Sequence, residues 1–137
     1  MWPEGASPGP GRRGSVMALV FMLTEAAVGA GLVLLQYVAH NQSIGRAFWM
    51  AAHLLNTFLL IGAQGLAVWF AGGRSRLALR GQGVAGALVG AAVAGVMVLG
   101  VSGAIAALGD TLFPASSLAE GFQQDLSPTA HVLVRLR

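Results

Sequence analysis

Residues Phe48–Phe70, FWMAAHLLNTFLLIGAQGLAVWF, form one long apolar run. As a helix, a run of this length spans ~30 Å of hydrocarbon, for which ~20 residues are needed. Four polar side chains interrupt it at helical spacing: His53, Asn56, Thr57 and Gln64. A helix gathers these onto one face. The combination is restrictive. Lipid is the natural solvent for the apolar majority, while an ionisable group in hydrocarbon costs about 2.5 kcal/mol or more and should turn toward other helices.

Composition extends the same reading to the whole chain. Of 137 residues, 55% are hydrophobic and 9% charged, against roughly 25% charged in a soluble domain. A chain this short has too much surface for its volume to hide so many apolar residues in one aqueous core. The spacing predicts an all-α membrane protein with three transmembrane helices, at about 16–38, 47–70 and 83–108. The Gly- and Pro-rich residues 1–15 read as a disordered leader. Residues 109–137 read as an extracytoplasmic loop with Asp110 in a turn, followed by the start of a further, truncated helix.

All eight basic residues are arginine. Arg12, Arg13, Arg74, Arg76 and Arg80 flank the same ends of the three runs, and Arg46 alone lies close to an opposite end. The positive-inside rule then places the N-terminus in the cytoplasm. The arginines form no basic face with interleaved aromatics, which argues against a nucleic-acid partner. With no cysteine, disulfides and thiol chemistry are excluded. Nucleotide-binding and hydrolase motifs are also missing from the sequence.

Small residues recur every four positions along the third run (Gly86, Gly90, Ala94; Ala87, Ala91, Gly95; further out Gly100, Ala104 and Gly103, Ala107) and in the first (Ala26, Ala30; Ala27, Gly31). These faces are expected to carry helix–helix contact in lipid.

His53 and Glu25 are the candidate functional groups. His53 lies about two turns inside its helix, where an imidazole can ligate haem iron or a metal, or bond to a neighbouring helix. Asn56 and Thr57 could serve a cofactor edge or nearby backbone. Glu25 could pair with a cation, relay protons, or bond a neighbour's backbone as a neutral carboxyl. His40 and His131 read as solvated histidines.

Three stretches carry a resemblance: MALVFMLTEAAVGAGLVLL, RAFWMAAHLLNTFLL and GAIAALGDTLFPASSLAEGFQQDLSPTAHVLVRLR. They resemble consecutive parts of the haem A synthase family, whose eight helices form two four-helix bundles. The resemblance implies that this chain is an internal fragment, helices three to five, forming part of one bundle. It implies oxidation of a haem O methyl to the formyl of haem A, with haem O as substrate and haem b as cofactor. It makes His53 the axial iron ligand, with Asn56 beside the cofactor, and leaves Glu25 without a firm role. Other helices or subunits of the same enzyme would be the partners, and a bacterial plasma membrane the setting rather than a mitochondrial inner membrane. The partner ligand motifs of the family, Glu-x-x-His-Arg and His-Pro, do not occur in the chain, so activity of the chain alone is not expected. The competing readings are a cofactor-free structural or assembly subunit and a conducting bundle that uses Glu25.

Overall fold

The computed structural model describes residues 9–38, 41–73 and 80–136. It is all-helical, with no strand among the described residues. The helices are α1 (Pro10–Leu34), α2 (Ile44–Ala71), α3 (Gly83–Leu112), α4 (Leu118–Leu126) and α5 (Val132–Arg135). The first three are long and apolar enough to cross a membrane. Their 25, 28 and 30 residues correspond to ~37, ~42 and ~45 Å at ~1.5 Å per residue. The protein is an integral membrane protein.

The helix ends differ from the expected ones for identifiable reasons. α1 starts at Pro10, inside the Gly/Pro-rich stretch expected to be unstructured. Proline at the first helical position has its φ preset and gives up an N–H that would have no partner there. Gly14 then lets α1 approach α2: a Cβ there would sit 3.0 Å from the Ala67 Cα. Residues 1–8 lie outside the described residues.

α1 stops at Leu34, four residues short of the expected Val38. Gln36 turns into the left-handed region (φ 60°), and Asn41 Nδ2 donates to its carbonyl at 2.9 Å. Ser43 caps α2, its Oγ accepting from the Arg46 N–H at 3.3 Å. α3 runs on to Leu112, so Asp110 lies within the helix and not in a turn. Pro114 ends it, because the residue before a proline is pushed out of the α region; Phe113 has φ −130° and ψ 63°.

Contacts fix the packing as up–down–up. Near the start of α1, Gly14 meets Ala67 late in α2, and near its end Gly31 meets Trp49 early in α2. α3 touches α2 through its second half. Gly100 lies against Phe58 and Leu54, and Leu108 joins Ala47 and Leu133 in the main buried cluster. α5 therefore closes over the ends of α2 and α3 remote from Arg12 and Arg13.

The expected role of the α3 glycines holds at Gly100 and needs correction in the first half of the helix. Gly90 and Gly95 have nothing within Cβ contact, and Gly86 meets only Gln82 beside its own first turn. Residues 83–96 are exposed throughout. The close approaches come from Gly14, Gly31 and Gly100, each opposite a neighbouring helix. Periodicity shows where a small-residue face is, and only the partner's position shows whether it is used.

Candidate functional site

The polar groups of α1 and α2 meet in one cluster between those helices. Asn56 Nδ2 donates to the Phe21 carbonyl at 2.9 Å and to Glu25 Oε2 at 2.6 Å, and its Oδ1 accepts from Thr24 Oγ1 at 2.8 Å. Thr57 Oγ1 donates to Glu25 Oε1. His53 Nδ1 lies 3.5 Å from the same Oε1. It is buried and makes no hydrogen bond. Glu25 is thus the hub, engaged by three side chains of α2 that are distant from it in sequence.

Local structure explains the convergence. Asn56 and Thr57 follow His53 by three and four residues, so all three occupy one flank of α2. Gln64 shares that flank in sequence but stays exposed. The helices cross, and at its depth the contact line runs instead through Ala63, 3% exposed, and Ala67. Among the polar positions of the stripe, three reach the interface and the fourth does not.

Trp49 reinforces the arrangement. Its Nε1 donates to the Val28 carbonyl at 2.8 Å, and its ring lies over Gly31. On His53, the Cε1 edge faces Gly29, where a Cβ would lie 3.6 Å away.

The His53 side chain retains 36% exposure and that of Glu25 20%. Since Nδ1 is buried, the accessible surface of the imidazole lies on its other atoms. His53 borders a cavity of about 390 Å³ that also involves Leu32, Tyr37, Arg46, Met50, Leu54, Thr57 and Ala104. That volume is within the ~300–1,000 Å³ of small-molecule sites. Its walls are mostly apolar, with a guanidinium, a phenol and an imidazole around it. Asn56 does not border it: its amide is committed to α1.

Two histidines lie elsewhere. His131 caps α5, Nδ1 accepting from the Leu133 N–H at 3.2 Å, and stacks on Phe113 with centroids 5.1 Å apart. It stays exposed while taking this capping role, which its place just before the VLVR turn allows. His40 lies outside the described residues. Among the described residues no group of three or more His, Asp or Glu side chains could hold a metal ion.

No family model matches the chain, and no solved structure matches it. Two curated relatives do, the protoheme IX farnesyltransferases of two strains of Thermus thermophilus. Each is 45% identical over 139 residues, covering all of this chain and 23% of the relative. The chain therefore spans about a quarter of the length of the relatives it matches. These names overturn the resemblance to haem A synthase drawn from the sequence. They are names for farnesyl transfer to protohaem IX, not for oxidation of haem O, so the oxidoreductase and haem A assignments are corrected and haem O as substrate is without support. The alternative of a cofactor-free structural subunit is not supported either. Throughout its length, the chain is similar to part of a protein named as an enzyme of haem chemistry.

Proposed function

We propose that this chain is a segment of a membrane-embedded transferase of the protohaem IX farnesyltransferase kind, and that its share of the work is to hold the haem-type substrate. The observation that carries the reading is the His53 imidazole, with Nδ1 against the Glu25 carboxylate and the rest of the ring bordering an apolar cavity. A histidine that ligates iron through one nitrogen usually has the other turned to a carboxylate or carbonyl, which fixes its orientation and raises its basicity. The residues present fit such a group. His53 would take the iron, Leu32, Met50, Leu54 and Ala104 would flank the macrocycle, and Arg46 with Tyr37 would face its carboxylates.

Bound haem would supply the ring on which the transfer acts. The chain's own contribution is to bind, orient and exclude water. The Glu25 carboxylate lies beside His53 Nδ1, and Asn56 and Thr57 hold Glu25. The transfer step is assigned to no residue of this segment. The bacterial origin of both relatives supports a bacterial plasma membrane as the setting.

The test is a titration of the purified chain with protohaem IX in detergent. The expected result is a saturable Soret shift that His53→Ala abolishes. An identical shift and affinity in that variant would overturn the assignment.

A further inference from the structure

α4 has a structural role that the haem site does not touch. It carries Leu118, Phe122 and Leu126 at i, i+4 and i+8, and these side chains are 85%, 67% and 80% exposed. On an α-helix such spacing makes one stripe. Glu120, Gln123 and Gln124 occupy the other side, while Asp125, seven residues after Leu118, lies at the edge of the stripe. The start of the helix is firmly set: Ser117 Oγ accepts from the Glu120 N–H at 3.2 Å, and Glu120 Oε2 accepts from the Ser116 N–H at 2.9 Å.

Both ends of α4 are tied to the membrane boundary. Upstream, residues 113–117 separate it from the end of α3 and reach at most ~18 Å. Downstream, α5 packs on α3 and buries Leu133 with Ala47 and Leu108, at the ends of the transmembrane helices. An amphipathic helix held at that level has hydrocarbon within reach of its apolar stripe.

We propose that α4 lies in the membrane–water interface on the side remote from Arg12 and Arg13, with Leu118, Phe122 and Leu126 immersed at the headgroup–acyl boundary. α3 itself presents exposed apolar side chains to lipid, Val98 and Leu99 being 67% and 72% exposed. Leu118 and Phe122 also border a groove of about 670 Å³ shared with Pro114, Ala115, Asp110 and Asp125, and the two carboxylates suit the headgroup level and not the acyl chains. The occupant is lipid without regard to headgroup charge. α4 contains Glu120 and Asp125 and no basic residue, so apolar burial drives the contact and attraction to anionic lipid does not.

The chain has no cysteine, so single-cysteine variants can be spin-labelled cleanly. The experiment uses the full chain in phosphatidylcholine liposomes. Labels go at Leu118→Cys, Phe122→Cys and Leu126→Cys, at Glu120→Cys and Gln123→Cys, and at Val98→Cys as a lipid reference. Collision with oxygen is compared with collision with a water-soluble nickel chelate. The expected result is an oxygen-to-nickel ratio that alternates along α4, approaching the Val98 value at the three stripe positions only. A low ratio at every α4 position would place the helix in water and overturn the proposal. Protection of the stripe from both reagents would mean a protein cover, and would overturn it equally. Retention of the alternation on adding anionic lipid supports apolar burial, and its appearance only with anionic lipid refutes it.

Discussion

Replacing Asn56 with leucine keeps the side-chain volume and removes three hydrogen bonds between α1 and α2: to the Phe21 carbonyl, to Glu25 Oε2 and from Thr24 Oγ1. Interhelical hydrogen bonds in membranes average about 0.6 kcal/mol each and reach about 1.7. Three bonds therefore give a loss of about 2 kcal/mol, with an upper limit near ~5. A loss of about 2 kcal/mol changes the folded-to-unfolded ratio by about 30-fold. The assay is reversible unfolding in mixed micelles of rising dodecyl sulfate content, followed by tryptophan fluorescence, since Trp49 sits on α1 through its bond to Val28. Gln64→Leu is the matched control: also amide to leucine on α2, but at an exposed position, and expected within about 0.5 kcal/mol of the parent. The reasoning is refuted if the two variants shift the midpoint equally, because the cluster would then contribute no more than any polar group on the helix.

Other outcomes follow from the same contacts. Gly31→Val should destabilise the α1–α2 pair by about 1–3 kcal/mol, since even a Cβ there would meet Trp49 at 2.5 Å; Gly62→Ala, with open space around it, should be neutral or slightly stabilising in the same unfolding assay. Glu25→Gln should weaken protohaem binding less than Glu25→Ala, because the amide still accepts from Thr57 and keeps the shape, and a Soret titration of both variants measures the order. Hydrogen bonds from the Ser116 side chain and backbone hold the Glu120 carboxyl below its ordinary range. The unfolded segment then binds more protons than the folded one, so the contribution of this contact to α4 is full above the ordinary carboxylate pKa and fades as pH falls through the lowered one. Protection of the amides at the start of α4, measured against their intrinsic exchange rates at each pH, should fall over that acid range, and Glu120→Gln should remove the pH dependence of that protection.

The cluster between α1 and α2 separates what is legible in sequence from what is not. His53, Asn56 and Glu25 stand out in sequence because polar groups within apolar runs are conspicuous. Their grouping is not visible there, because Glu25 and Asn56 lie 31 positions apart and meet only through the crossing of two helices. From its spacing Asn56 could serve a cofactor edge or neighbouring backbone, and in the structure its amide is engaged by α1. α4 carries a local signal that the hydropathy pattern obscures: Ser117 and Glu120 have capping-box spacing, followed by apolar residues at i, i+4 and i+8.

Sequence by itself determined that this chain has three spans in lipid, because hydrocarbon leaves an apolar run of that length no other economical solvent and forces its backbone into helix. It also set the ends where proline or a capping serine acts on its own neighbours. Tertiary structure alone decided which polar groups face one another and which glycines are crowded. Those depend on where a second helix passes, and that distance and crossing are not properties of either helix alone.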